Sequence, residues 1–476
     1  MLETLRHRPV MAVLAVAGAT VLIVVLVVVL TGGSQPTLPL PGIGRPARPG
    51  DPFAYAPGHQ AAFDRRAVAG SNQVLFAKSP GGAVATAARV ASYRGVIDSV
   101  TAGTGVDSNM LEGIVFLESA GNANAIAGRD PVAAAGLTQI LAQTGQALLG
   151  MHIDLSQSRS LTARIDAAYA AGDGSAVARL QARRAKIDDR FDPQKALAAT
   201  VSYVKLAQAR FDRADLAIES YHMGIGNLQQ VLDRYDGGRA VPYSQLFFDS
   251  APDRHAAAYA LLHSFSDDSR LYYWRVLGAA AVMRLYRTSP AALVQMAGLE
   301  TTSPAGADAL HPPGATQSFA TAEELRQAYA QRQVLPLPSN PGALGLAYDP
   351  TMGSLAQRLG QPAALYRGLR PPALDLLIEL AARVRTLSGV SAPLRIVSTV
   401  ADRQYLNLLP LPPAPLTSTG YSFAIQRRYA SRRQADALQA MLDQLQALDL
   451  IAWVRSPQTI QIAVASDAGR VIVDGP

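Results

Sequence analysis

Apolar residues recur three and four positions apart from about Val84 to Leu299, with alanine frequent between them. That period predicts a succession of amphipathic helices. Ser289-Pro290 interrupts the pattern near its end, and the Ser/Pro/Gly-rich stretch Thr301 to Thr316 closes it. Phe319 to Arg332 reads as an isolated helix, and Leu335 to Tyr348 is again rich in Pro and Gly. From about Leu369 the pattern becomes mixed. Leu374 to Thr386 and Gln434 to Leu448 keep the helical period. Leu394 to Ser398, Ile451 to Arg455, Thr459 to Val464 and Arg470 to Val473 read as short strands. The fold class expected is mainly α, followed by a small C-terminal α+β domain.

The N-terminus carries a different signal. Val10 to Thr31 is an uncharged, Val- and Leu-rich run of 22 residues. At about 1.5 Å per residue it matches a hydrocarbon core of roughly 30 Å. Arg6 and Arg8 precede it, and no Lys or Arg follows until Arg45. The positive-inside rule then keeps the short N-terminus in the cytoplasm and places the rest outside a cytoplasmic (inner) membrane that the chain crosses once. A cleaved signal peptide is the alternative reading. Gly32 to Pro52, with Pro36, Pro39, Pro41, Pro46 and Pro49, reads as an extended spacer.

Composition narrows the chemistry. The 476 residues contain no cysteine, which excludes disulfides, thiolate metal sites and a cysteine nucleophile. The net charge of +7 rests almost wholly on arginine, since the only lysines are Lys78, Lys186, Lys195 and Lys205. A GC-rich genome, with alanine abundant as well, accounts for this more readily than attraction to an anionic polymer or membrane surface does. No basic run carries interleaved aromatics, so no nucleic-acid partner is expected.

Asp107-Ser108 offers an N-cap for a helix running to about Ser119, where Gly121-Asn122 breaks it. Leu111, Ile114 and Val115 share the face that carries Glu118. A carboxyl group on an apolar face is desolvated, and the negative end of the helix dipole acts in the same direction. Such a group holds its proton near neutral pH and can donate it to a leaving oxygen.

Glu118-Ser119-Ala120-Gly121-Asn122 is followed by Ala134-Ala135-Gly136-Leu137-Thr138-Gln139-Ile140 and Thr144, then by Asp192-Pro193 and by Ile218-Glu219-Ser220-Tyr221-His222-Met223-Gly224-Ile225-Gly226-Asn227. From Arg89 to Tyr235 these ordered motifs resemble the soluble lytic transglycosylases, whose catalytic domain is goose-lysozyme-like. The resemblance implies that Glu118 is the single acid/base and that Ser119 orients it. It implies that Gln139 bonds sugar from the cleft wall and that the Tyr221 hydroxyl lies near the acid. Gly224 and Gly226 would let the backbone approach substrate. This sequence departs from the family at Thr138, which stands for Met, at His222 and Met223, which stand for Asn and Ala, and at Asp130 and Ala133, which stand for Ser and Gly. His222 is then a cleft-lining donor or a packing residue. Asp130 is either an ordinary loop residue or a second carboxylate. The implied reaction cleaves peptidoglycan glycan strands and leaves 1,6-anhydroMurNAc ends, with no cofactor and no metal. A hydrolysing muramidase using Asp130, or a non-catalytic wall-binding scaffold, are the alternatives.

Val397-Ser398-Thr399-Val400-Ala401-Asp402-Arg403 is followed by Thr417 to Ile425 and by Gln461. On these stretches the C-terminal domain resembles, with its site eroded, the zinc D-Ala-D-Ala carboxypeptidase-like peptidases. In Thr417-Ser418-Thr419-Gly420-Tyr421-Ser422-Phe423-Ala424-Ile425, Thr417 and Ala424 stand where a His and an Asp ligand belong, and Gln461 stands for the last His. The last histidine of the chain is His311, ahead of this domain, so no imidazole is expected there and hence no zinc. The expected organisation is residues 1–31 as membrane anchor, 32–83 as linker and extension, 84–299 as the lysozyme-like domain with a helical extension, 300–368 as linker and 369–476 as the degenerate domain.

Overall fold

The computed structural model describes residues 51–303, 305–410 and 416–476. The anchor read at Val10–Thr31 lies outside the described residues, among which no helix is long and apolar enough to cross a membrane. Among the described residues the chain is mainly helical, and the strands fall within residues 335–464. Two compact units result. The first comprises Val74–Gln230 and Phe265–Val294; the second comprises residues 51–73, Val231–Ser264 and Gln295–Pro476.

The first unit is built on two helices, Ser108–Ser119 and Tyr272–Thr288. Asp107 caps the first by accepting from the Asn109 amide, and Ala120 ends it in the left-handed conformation. Leu111, Ile114, Val115 and Phe116 are fully buried. The two helices approach so closely at Gly113 that a Cβ there would stand 2.6 Å from the Val276 carbonyl oxygen. Glu112 pairs with Arg287 and Glu118 with Tyr272, earlier residues with later ones, so the helices run antiparallel. Glu118 lies five residues beyond Gly113, and Tyr272 four before Val276. At about 1.5 Å per residue these displacements are nearly equal and bring the two side chains to the same end of the crossing.

Asp192 caps the helix Pro193–Phe211 through the Gln194 and Lys195 amides, with Pro193 in its first turn, where no N–H is needed. Helices Leu155–Ala170 and Gly174–Ala185 form a hairpin. Within it Arg184 is buried, lies 3.6 Å over the Phe191 ring, and donates to Thr162 and Asn124.

Among its described residues the second unit holds seven strands, β1 (Leu335–Pro336), β2 (Leu346–Tyr348), β3 (Gly368–Leu369), β4 (Leu394–Ser398), β5 (Ser422–Gln426), β6 (Ile451–Arg455) and β7 (Thr459–Val464). β1 and β3 form a small antiparallel pair. The main sheet has the order β2-β4-β5-β7-β6, parallel only between β2 and β4. Helices Pro371–Ser388 and Arg432–Ala447 pack together in this unit.

Three expectations need correction here. Residues 300–368 are not a linker: Phe319, Leu325, Val334, Ala356, Leu365 and Tyr366 build a core with Val400 and Tyr405, and β2 joins the main sheet. Much of the segment read as a linker and extension also belongs to this unit. Helix Gln60–Gly70 packs on helix Arg432–Ala447 so tightly that a Cβ on Gly70 would stand 2.1 Å from the Gln446 carbonyl, and Arg66 pairs with Asp467. Arg470–Val473 is helical, within Ala468–Asp474, because buried Val471 and Ile472 pack in a helix contacting Pro371–Ser388; four apolar-rich residues do not distinguish the two periods.

Candidate active site

Glu118 ends its helix half-buried, and no Lys or Arg among the described residues forms an ion pair with it. The contrast with Glu112 on the same helix is informative. Glu112 is fully buried and bonded by Arg94 at 3.2 Å and Arg287 at 2.7 Å. Glu118 meets a neutral group instead: the Tyr272 hydroxyl donates to its Oε1 at 2.6 Å. Burial pushes the Glu118 pKa up to about 8; the Tyr272 hydrogen bond opposes this, and the charge of Asp268 adds to it. The carboxyl group therefore keeps its proton at neutral pH.

Tyr221 lies near this pair without bonding Glu118. Its hydroxyl donates to the Thr138 carbonyl at 2.7 Å and lies 3.2 Å from Thr200 Oγ1. Its ring stacks on Tyr272 with centroids 6.2 Å apart. Burial, and then the Glu118 charge, hold the Tyr221 hydroxyl well above the ordinary tyrosine range. Tyr221 thus ties helix Ala214–Met223 to the 133–140 segment. That segment is held from behind by Arg190, which donates to the Ala133 and Ile140 carbonyls and is itself paired, fully buried, with Asp188 at 2.7 Å. Gly136 packs directly on the Arg190 carbonyl, where a Cβ would stand only 1.7 Å away.

The remaining residues singled out from sequence fall in varied places. Ser119 bonds back to the Val115 carbonyl at 3.4 Å and makes no hydrogen bond to Glu118. Gln139, at φ +50°, turns its amide nitrogen onto the Gly136 carbonyl at 2.8 Å, which leaves its side-chain oxygen for another donor. His222 stacks on Tyr272, centroids 5.2 Å apart, and its Nδ1 lies 2.9 Å from Ser269 Oγ; burial lowers its pKa. Gly224 ends its helix at φ +89°, a conformation that requires glycine, whereas Gly226 is an ordinary helical residue. Asp130 is exposed and paired with Arg159 at 2.9 Å, which holds its carboxyl below the usual range; no hydrogen bond joins it to Glu118, Tyr221 or Tyr272.

Two functional candidates escaped sequence reasoning. Tyr272 sits in a Tyr-Tyr-Trp run that reads as core, and only the antiparallel crossing at Gly113 brings it to Glu118. Asp268, which bears on Glu118 through its charge, is held by Arg275 at 2.7 Å with Lys78 at 3.8 Å. The polar run Ser266-Asp267-Asp268-Ser269-Arg270 immediately before the aromatic helix was the available signal.

In the second unit, Ala424 and Gln461 face each other across β5 and β7, and Thr417 is buried. His311, expected to lie outside the domain, packs into it: its ring stacks on Tyr421, Nε2 lies 2.7 Å from the Val464 carbonyl and Nδ1 3.2 Å from Thr316 Oγ1. Both ring nitrogens are therefore engaged. Among the described residues no three His, Asp or Glu side chains come together as a metal-ligand set.

No known protein family matches this chain, and no curated protein does.

Proposed function

We propose that this chain is a membrane-anchored peptidoglycan lytic transglycosylase, with Glu118 as its one acid/base. The observation that carries the reading is a half-buried carboxyl group with no cationic partner, pushed up to about 8 and bonded by the Tyr272 hydroxyl at 2.6 Å. On the same helix Glu112 is met by two arginines, whereas Glu118 is bonded by the neutral Tyr272 hydroxyl. A carboxyl group that is to donate a proton works from such a setting.

In the proposed reaction, protonated Glu118 gives its proton to the glycosidic oxygen between MurNAc and GlcNAc, and the bond from that oxygen to the MurNAc C1 breaks. The MurNAc acetamido group stabilises the electron-poor C1. The MurNAc C6 hydroxyl then attacks C1 and returns its proton to the Glu118 carboxylate. The products are a 1,6-anhydroMurNAc end and a free GlcNAc hydroxyl, with no water consumed. Tyr272 stabilises the carboxylate that exists between the two proton transfers. The resemblance of residues 89–235 to the goose-lysozyme-like catalytic domain supports this reading. So do Tyr221 and Gly136 to Gln139, which would line the cleft, with Gln139 Oε1 and His222 as sugar contacts.

Residues 10–31 are proposed to anchor the enzyme in the cytoplasmic membrane with both units outside, and the second unit to be a carboxypeptidase-like domain that has lost its zinc ligands. The test is a zymogram on purified cell wall. Wild type should clear the gel and Glu118→Gln, with an unchanged circular dichroism spectrum, should not; clearing by both refutes the assignment.

A further inference from the structure

Two acidic side chains of the second unit meet where three separate stretches of chain come together. Glu300 lies near the end of helix Pro290–Thr302, and Asp449 follows helix Arg432–Ala447 in the left-handed conformation, at φ +54°. The third stretch, Gly70-Ser71-Asn72-Gln73, joins helix Gln60–Gly70 to helix Asn72–Lys78. Close packing fixes the meeting. A Cβ on Gly70 would stand 3.0 Å from the Asp449 amide nitrogen, and one on Gly306 would stand 3.1 Å from Glu300 Oε2 and 3.0 Å from the Gln73 Cβ. Between these two contacts Asn72 hydrogen-bonds the Glu300 carboxyl group, and the charge of Asp449 also bears on it.

The charges at this meeting do not balance. Glu300 is buried and Asp449 half-buried, and neither forms an ion pair with a described residue. Arg66 bears on Asp449 but is committed to Asp467 and, at 3.2 Å, to the Leu448 carbonyl. Burial pushes Glu300 up to about 8 and Asp449 up to about 7; the Asp449 charge adds to the first, while Arg66 opposes the second and Asp467 adds to it. Two desolvated carboxylates without a counter-charge are costly.

A second observation is independent of those charges. Asn72 is 5% exposed, and its Oδ1 has no hydrogen-bond partner. The hydroxyls of Ser71, beside Asn72, and Ser303, three residues after Glu300, are buried and unpartnered as well. An amide oxygen only accepts, so neither carboxylate can satisfy it. The group therefore lacks an electron-poor centre rather than another acceptor.

We propose that Glu300, Asp449 and Asn72 Oδ1 bind a calcium ion. The set is made of hard oxygen ligands, which calcium prefers and zinc does not. Magnesium demands near-octahedral geometry and keeps several waters, so partly buried protein oxygens from three stretches of chain suit calcium better. The ion balances both carboxylates and ties helix Gln60–Gly70 to the rest of the second unit. The site lies wholly in that unit and does not depend on the chemistry assigned to Glu118.

The experiment is isothermal titration of the full chain, first dialysed against EDTA, with calcium chloride and with magnesium chloride. One calcium should bind per chain, about tenfold or more tightly than magnesium, and should raise Tm. Glu300→Gln and Asp449→Asn should each abolish calcium binding; both carboxamides match the shape of the neutral carboxyl group, and circular dichroism reports whether the fold is kept. Asn72→Ala leaves both carboxyl groups in place and should weaken calcium several-fold. No calcium bound by the wild type, magnesium bound as tightly as calcium, or calcium affinity unchanged in Glu300→Gln, Asp449→Asn or Asn72→Ala would each overturn the proposal.

Discussion

The Tyr272 hydroxyl donates to Glu118 Oε1 at 2.6 Å, and this bond favours the ionised carboxyl group against the burial that favours the neutral one. In the proposed cycle the bond matters most after Glu118 has given up its proton. Tyr272→Phe should therefore lower kcat by about tenfold or more. It should also move the alkaline limb of the pH–rate profile to higher pH, because the ionised form loses its donor. A profile that stays in place with unchanged kcat would remove Tyr272 from the mechanism.

The rate should fall as pH rises through about 8, where Glu118 loses the proton it must donate. Asp268 adds a like charge that raises the same pKa. Asp268→Asn should move the alkaline limb to lower pH, opposite to Tyr272→Phe. Steady-state kinetics on solubilised glycan strands across pH 5–10 distinguishes the two.

Stability carries the same signature. Glu118 binds its proton more tightly in the folded chain, at about 8, than at the ordinary 4.5. Between those values the native state holds more protons than the unfolded one, so stability falls as pH rises. The contribution is complete below 4.5 and lost above 8. Glu118→Gln cannot ionise. It should match wild type in acid and exceed it by roughly 2 kcal/mol above pH 8, the partial exposure of the site making this less than the full shift would give. Denaturant melts at pH 4 and pH 8.5 check this; a wild type more stable than the variant at the higher pH contradicts it.

Gly113 sets the distance between the two central helices. A Cβ there would stand 2.6 Å from the Val276 carbonyl and 3.3 Å from the Ala280 amide nitrogen, both of them backbone atoms that cannot turn aside. Gly113→Ala should cost about 1–3 kcal/mol in stability. It should also lower activity, by parting Glu118 from Tyr272. Thermal melts and the wall-clearing assay read the two effects separately.

Much of this was legible in the sequence because it was local. The Asp107 cap, the Asp192-Pro193 helix start and the strands Leu394–Ser398, Ile451–Arg455 and Thr459–Val464 follow from residues within a few positions of each other, and they sit where the pattern put them. Non-local features were hidden. β2 and β5 went unread: β2 has three residues, and β5 lies in a Ser/Thr/Gly-rich stretch that looks like a loop. The packing of 60–70 onto the C-terminal helix needs a contact across more than 350 positions, which no periodicity encodes. In the candidate site, Glu118 and Tyr221 were visible as motif residues. Tyr272 was not, because its role depends on a helix crossing at a glycine 159 positions earlier.

Mass spectrometry of the fragments released from purified peptidoglycan tests the role of Glu118 most directly. Wild type should release muropeptides ending in 1,6-anhydroMurNAc, without incorporation of oxygen from labelled water, and Glu118→Gln should release none. Reducing MurNAc ends that carry the label, or anhydro ends undiminished in Glu118→Gln, would contradict a mechanism in which one protonated carboxyl group serves as both acid and base.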